Sequence, residues 1–180
     1  DPNLVAKPGF SEHETGFAFD LAVLNGDTRM DFTGEDEYSW IQENAHKFGF
    51  ILRYNKDKVG LTGIAYEPWH YRYVGIPHAT YMYENNLCLE EYTDFIKSYK
   101  YDDEHLYVKA DGKTFEVYFV PSDPLAMITQ VPVYTDTTYT VSGNNTDGYI
   151  ITVDRGGNFT IPTETTAETV TAVETTSIVQ

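Results

Sequence analysis

The hydrophobic pattern of residues 16–22 predicts a short strand with one aromatic face. Phe17, Phe19 and Leu21 alternate with smaller or polar side chains, and a period of two is typical of a strand. We expect the aromatic side chains to face a core. Asp20 would then project from the opposite face of a rigid element.

A second alternation covers residues 69–74. Trp69, Tyr71 and Tyr73 share one face of this segment. His70 lies on the other face, so we expect it to point away from the packed aromatic side chains. Two further strands are predicted, at residues 50–54 and 61–67.

Apolar residues at helical spacing predict two helices, at residues 33–48 and 89–99. The buried stripe of the first helix is expected to consist of Trp40, Ile41, Ala45 and Phe48. Thr33 and Asp36 have the spacing of an N-terminal capping box. Gly49 is expected to end the helix.

Short β-rich segments separated by turn residues dominate after about residue 100. Asp111-Gly112 between two such segments is a strong hairpin signal. From residue 161 onward Thr, Glu, Ala and Val dominate without turn or core signals, which is typical of a disordered spacer.

These patterns predict an α+β protein in three parts. Residues 1–100 form a small antiparallel sheet with flanking helices, residues 101–160 form a β-rich module, and residues 161–180 form a disordered tail. We find no signal peptide and no apolar run long enough to cross a membrane.

The charge of the chain restricts its partners. There are 12 basic and 28 acidic residues, a formal net charge of −16. Binding to nucleic acid needs a basic face, so this class is excluded. Attraction to anionic membranes is disfavoured for the same reason.

Two stretches contain side chains that can bind a metal ion. Residues 11–20 read SEHETGFAFD and residues 66–75 read YEPWHYRYVG. Their possible ligands are His13, Asp20 and His70. Two imidazoles and one carboxylate hold Zn²⁺ with a fourth position open for water, which is the catalytic pattern.

Glu67 adds a carboxylate three residues before His70. Beside a metal-bound water, such a carboxylate can take a proton. Taken singly, these residues also have ordinary structural roles. They could be a solvated loop histidine (His13), a core histidine (His70) and a turn residue before a proline (Glu67).

The two stretches resemble the signature motifs of the VanY-type zinc D,D-carboxypeptidases. The resemblance continues through WIQENAHKFGFILRY, residues 40–54, and LEEY, residues 89–92, and covers roughly residues 3–97. It implies Zn²⁺ bound by His13, Asp20 and His70, with Glu67 as the catalytic base. It also implies that the substrate is a peptidoglycan stem peptide, from which the terminal D-alanine is removed.

The same resemblance implies an extracellular or cell-surface protein of the bacterial cell wall. Three residues near the motifs are candidates for substrate contacts. Ser11 and Trp69 are expected to shape the pocket, and Arg72 shares the strand face of His70. Neither the preference for D,D or L,D bonds nor the role of the β-rich module follows from the sequence.

The family's upstream Tyr-Arg-Ser motif, whose arginine helps to stabilise the reacting carbonyl, does not occur within residues 1–180. Arg72 and Arg53 are the local candidates for this role, and neither is at the motif's position. We therefore expect these residues alone to bind zinc but to hydrolyse poorly.

Two alternatives remain open at this point. Two histidines and one carboxylate also form the facial triad of non-haem Fe(II) enzymes. Glu67 is a spare carboxylate with no obvious place in that chemistry. The second alternative is a zinc-containing module that binds the cell wall without catalysis.

Overall fold

Two structural units make up the chain in the computed structural model, which describes residues 6–162 and 173–179. The first unit extends from Asp1 to Tyr92 and the second from Thr93 to Gln180. The division falls before the predicted boundary at residue 100. The expected mixture of helices and small antiparallel sheets is confirmed.

The first unit combines short strands with short helices. Its strands are β1 (Ala18–Asp20), β2 (Ala22–Asn25), β3 (Thr28–Asp31), β4 (Phe50–Leu52) and β5 (His70–Tyr73). Its helices are α1 (Ser39–Asn44), α2 (Val59–Thr62), α3 (Ile76–Glu84) and the start of α4 (Leu89–Ile96), with 3-10 turns at Glu12–Thr15, Asp36–Tyr38 and Ala45–Phe48. Within the described ranges, no helix has the length and apolar character needed to cross a membrane.

A three-stranded antiparallel sheet in the order β1-β5-β4 carries the second motif at its centre. The register of β1 and β5 places Asp20 opposite His70 and Ala18 opposite Arg72. Residues directly opposite each other in an antiparallel pair share one face of the sheet. Asp20 and His70 therefore project to the same side.

The prediction of a buried aromatic face on β1 is wrong. Phe17 is 53% exposed and Phe19 is 40% exposed. The reason is that β1 is an edge strand, so its aromatic side chains contact neighbours mainly along the sheet. Phe17 stacks on Tyr73, and Phe19 stacks on Tyr71, a core residue that is 1% exposed.

The predicted helix at 33–48 is broken into three short pieces. The capping box is wrong because Asp36 has a positive φ of 51° and Thr33 Oγ1 accepts from the backbone N–H of Glu35 instead. The segments before and after α1 are 3-10 turns, which are wound more tightly than an α-helix. The apolar residues therefore do not fall on one continuous stripe. Trp40 and Phe48 are accordingly 58% and 59% exposed.

The end of this helical region follows the prediction. Gly49 has a φ of 84° and ends the 3-10 turn that precedes β4. A Cβ at this position would lie 2.7 Å from the Tyr73 ring and 3.1 Å from the Gly75 backbone, which excludes a larger residue.

The predicted strand at 61–67 is also wrong. Its first residues belong to α2, which ends at Gly63 with a φ of 70°. The first apolar residue of this segment does not pack, since Leu61 is 57% exposed. Helix α3 was not predicted, although Pro77 near its start is a typical helix-initiating residue.

The second unit is built from strands. These are β6 (Leu106–Ala110), β7 (Lys113–Pro121), β8 (Ile128–Tyr134), β9 (Thr138–Gly143), β10 (Gly148–Asp154) and β11 (Val173–Val179). They form a four-stranded sheet, β6-β7-β10-β9, and a β11-β8 pair. The hairpin at Asp111-Gly112 is confirmed, and both residues have the positive φ of a primed turn.

The prediction of a disordered tail is wrong for residues 173–179. These residues form β11, which pairs antiparallel with β8, and Ile178 packs against the core of Val131, Val133 and Tyr134. β-branched residues favour strands, a preference that outweighs the polar composition of this segment. The other part of the predicted tail, 163–172 and 180, lies outside the described residues.

Candidate metal centre

The three predicted ligands lie together on one side of the sheet. Each offers one donor atom, and all three atoms lie within 4.8 Å of one another. His13 Nε2 is 3.4 Å and His70 Nδ1 is 3.1 Å from Asp20 Oδ1. The two imidazole rings meet edge to face, with centroids 4.8 Å apart.

His13 reaches this cluster from the 3-10 turn Glu12–Thr15. Ser11 caps the turn, since its Oγ accepts from the backbone N–H of His13 at 3.3 Å. Gly16, with a φ of 74°, ends the turn and directs the chain into β1. The sequence between the first two ligands is therefore one tight turn followed by one strand, which brings His13 back over Asp20.

The cluster is buried on one side and open on the other. His70 is 5% exposed, whereas the side chains of His13 and Asp20 are each 41% exposed. A bound ion would therefore be held from below by the sheet and remain accessible to a ligand from solvent.

Glu67 lies beside the cluster in the turn that leads into β5. Its backbone carbonyl accepts from the N–H of His70 at 3.1 Å, and its Oε2 is 3.6 Å from His70 Nδ1. The residue is 6% exposed. Burial raises the pKa of Glu67, an effect that the nearby His70 opposes and the charge of Asp20 reinforces.

Sequence reasoning missed a second carboxylate at this site, Glu12. Its Oε1 accepts from Arg53 Nε at 2.8 Å, and its Oε2 lies 3.6 Å from His70 Nε2. Although burial opposes it, the interactions with His70 and Arg53 lower the pKa of Glu12 to about 2. Its position next to His13 inside the first motif was the signal that could have identified it.

Arg53 and Arg72 have different surroundings. Arg53 is 7% exposed and binds Glu12 and, through both terminal nitrogens, Glu90. Arg72 has one terminal nitrogen 3.6 Å from Glu12 Oε2 and stands over the ring of Phe17. Arg53 is thus fully engaged, whereas Arg72 makes one long contact with a carboxylate.

The other two predicted substrate residues, Ser11 and Trp69, make hydrogen bonds with the backbone. Ser11 caps the turn of His13, as described above. Trp69 immediately precedes β5 and is partly buried, and its carbonyl accepts from the N–H of Leu21 at 2.9 Å. Both residues therefore have structural contacts, and their contacts with a substrate stay a prediction.

Two imidazole nitrogens, one carboxylate oxygen and an open side are the donor set of catalytic zinc sites in hydrolytic enzymes. Comparison with known proteins indicates which hydrolytic zinc enzymes this chain resembles. The model of the VanY family, described as D-alanyl-D-alanine carboxypeptidase, matches residues 2–76. The matched segment contains all three donor residues and Glu67.

Relatives with the same description are similar over longer stretches. A D-alanyl-D-alanine carboxypeptidase of Enterococcus faecium is 43% identical over 84% of this chain and 46% of its own length. One of Enterococcus faecalis (strain ATCC 700802 / V583) is 53% identical over 49% of this chain and 31% of its own length. The chain therefore spans less than half the length of these two relatives.

One solved structure resembles most of this chain. It is the vancomycin resistance D,D-dipeptidase VanXYg in complex with a D-Ala-D-Ala phosphinate analog. The TM-score is 0.76 at 40% sequence identity, and the match covers 84% of this chain and 61% of that one. A match of this extent includes strands of the second unit.

Proposed function

We propose that this chain acts as a zinc-dependent carboxypeptidase that removes the C-terminal D-alanine from peptidoglycan stem peptides. The observation that carries this proposal is the convergence of His13, Asp20 and His70 on one point, with Glu67 beside them. Its relatives are named as carboxypeptidases or a dipeptidase acting on D-Ala-D-Ala, which favours a peptidase over an Fe(II) enzyme.

The three donors fit a zinc ion. His13 Nε2, Asp20 Oδ1 and His70 Nδ1 would hold it, and the exposed sides of His13 and Asp20 leave room for a further ligand. When bound, zinc supplies Lewis-acid chemistry, since it acidifies water and polarises a carbonyl group.

We assign the proton transfer of the reaction to Glu67, because its carboxylate lies beside the three donors. Its carboxylate takes a proton from the attacking water and later delivers it to the leaving amine of D-alanine. A buried carboxylate is a stronger base than a solvated one, and burial raises the pKa of Glu67 in this way. The buried position also keeps bulk water away from the proton.

Arg72 is the residue that we propose for the substrate carboxylate or the developing oxyanion. Its guanidinium shares the sheet face of Asp20 and His70, and its side chain is 18% exposed. Arginine binds carboxylates in a bidentate manner that suits such a role. Ser11 and Trp69 would shape the pocket around the peptide.

A stem peptide as substrate implies that the protein acts at the cell wall, and we propose an extracellular or cell-surface location. The net charge of −16 gives no attraction to nucleic acid or to an anionic membrane.

The direct test is release of D-alanine from a pentapeptide that ends in D-Ala-D-Ala, followed by mass spectrometry. The zinc-loaded protein should release it, a chelator should abolish release, and added zinc should restore it. A matched peptide ending in L-Ala-L-Ala is the control and should remain intact. No release by the zinc-loaded protein, or release that survives chelation, would contradict the proposed reaction.

A further inference from the structure

The two ring nitrogens of His70 face different carboxylates. Nδ1 lies 3.1 Å from Asp20 Oδ1, on the side of the metal centre. Nε2 points the other way and lies 3.6 Å from Glu12 Oε2. Among the described residues, both His70 Nε2 and Glu12 Oε2 are buried without a hydrogen-bond partner.

The chemistry of imidazole connects these two contacts. A neutral ring has one N–H group and one lone pair. If Nδ1 is the metal donor, the proton must be on Nε2, where it is buried and needs an acceptor. Glu12 Oε2 faces this position, and a closing movement of about 0.6 Å would bring the pair to an ordinary hydrogen-bond distance.

Glu12 is itself held in place. Arg53 Nε donates to Glu12 Oε1 at 2.8 Å, which leaves Oε2 on the side of His70 and Arg72, at 3.6 Å from each. Arg53 donates its two terminal nitrogens to Glu90 at 3.0 and 2.6 Å. Arg53 is 7% exposed, and its Nε and both terminal nitrogens donate hydrogen bonds, so it has little freedom to release Glu12.

We infer that Glu12 is a positioning residue for the metal centre: it accepts the Nε2–H of His70 and thereby keeps the Nδ1 lone pair on the side of the metal. Arg53 and Glu90 extend this arrangement by fixing Glu12. The inference rests on the proposed zinc site. Partners of this kind, which orient a ligating histidine, typically change metal affinity by 10–100-fold when they are removed.

The test compares Glu12→Ala and Glu12→Gln with Glu14→Gln as the matched control. Glu14 is in the same 3-10 turn and also carries a carboxylate, but it accepts from the Gly9 backbone instead. Glutamine at position 12 keeps the shape of the side chain but has one acceptor oxygen where Arg53, His70 and Arg72 face two, so it guards against a simple failure to fold.

Two readouts separate positioning from structural support. The first is zinc affinity, measured by competition with a chelator. The second is the Nε2–H proton of His70 in the zinc-bound protein, whose NMR shift and rate of exchange with water report whether it is hydrogen-bonded. We expect zinc binding to weaken roughly 10–100-fold in Glu12→Ala, with a smaller loss in Glu12→Gln and none in Glu14→Gln. In the unaltered chain the His70 Nε2–H proton should exchange slowly with water and have the shift of a hydrogen-bonded N–H, and in Glu12→Ala it should exchange faster and lose that shift.

Either of two results would overturn this role of Glu12. One is wild-type zinc affinity in both Glu12 variants, and the other is an unchanged signal of the His70 Nε2–H in Glu12→Ala. Failure of the underlying site has a different signature, because the unaltered chain would then not bind zinc at the three donors at all.

Discussion

Replacing Glu67 with glutamine should lower turnover of a D-Ala-D-Ala peptide by roughly 10²–10⁴-fold, the usual effect of losing a general acid and base. Glutamine retains the size of the side chain and cannot accept the proton of the attacking water. Zinc should remain bound, because Glu67 Oε2 lies beside His70 Nδ1 and is outside the group of three donors.

The measurement is kcat on the pentapeptide together with the zinc content of the same samples. Glu14→Gln serves as the control, since it removes an exposed carboxylate from the neighbouring turn and should retain full turnover. A Glu67→Gln protein that loses its zinc would make Glu67 a ligand and contradict the role assigned to it.

Replacing Glu116 with alanine should lower the free energy of unfolding of the second unit by about 3–5 kcal/mol. Glu116 is 1% exposed and is enclosed by hydrogen-bonding partners. Arg155 Nε donates to its Oε2 at 2.5 Å, and the Tyr134 hydroxyl and His105 Nδ1 both contact its Oε1. Removal of the carboxylate leaves the half-buried guanidinium of Arg155 without its counter-charge.

Chemical denaturation followed by a signal from the second unit measures this change. Glu104→Ala is the control, because Glu104 is exposed and should change stability by no more than about 0.5 kcal/mol. A loss below about 1 kcal/mol in Glu116→Ala would show that the cluster contributes little.

The same cluster gives the stability of the second unit a dependence on pH. Burial alone would raise the pKa of Glu116, but the hydrogen bonds from His105 and Arg155 hold it below its ordinary value. Since the pKa is lower in the folded state, this contribution is present above the unfolded pKa. It is lost as the pH falls through the folded pKa.

The candidate site could be predicted largely because its residues are close together in two short motifs. The strand alternation around His70 placed it away from Tyr71, and the structure brings it to Asp20 through the register of β1 and β5. Glu12 was not predicted, because its importance depends on Arg53, a residue 41 positions away in the chain.

The fold was predicted best where a local signal is decisive. Gly49 ends its helical turn and Asp111-Gly112 forms its hairpin, since both need a positive φ. Burial was predicted poorly at Phe17 and Phe19, because hydrophobicity alone does not reveal that a strand lies at the edge of a small sheet. For the segment 173–179, polar composition concealed a strand that pairs with a distant partner.

The most direct test of the central claim is anomalous diffraction at the zinc edge on crystals of the zinc-loaded protein. We expect one zinc ion bound by His13 Nε2, Asp20 Oδ1 and His70 Nδ1, at about 2.0–2.2 Å from each donor. Glu67 should lie nearby without coordinating the ion. A zinc ion bound elsewhere, or one that lacks a bond to any one of these three side chains, would contradict the assignment of the metal centre.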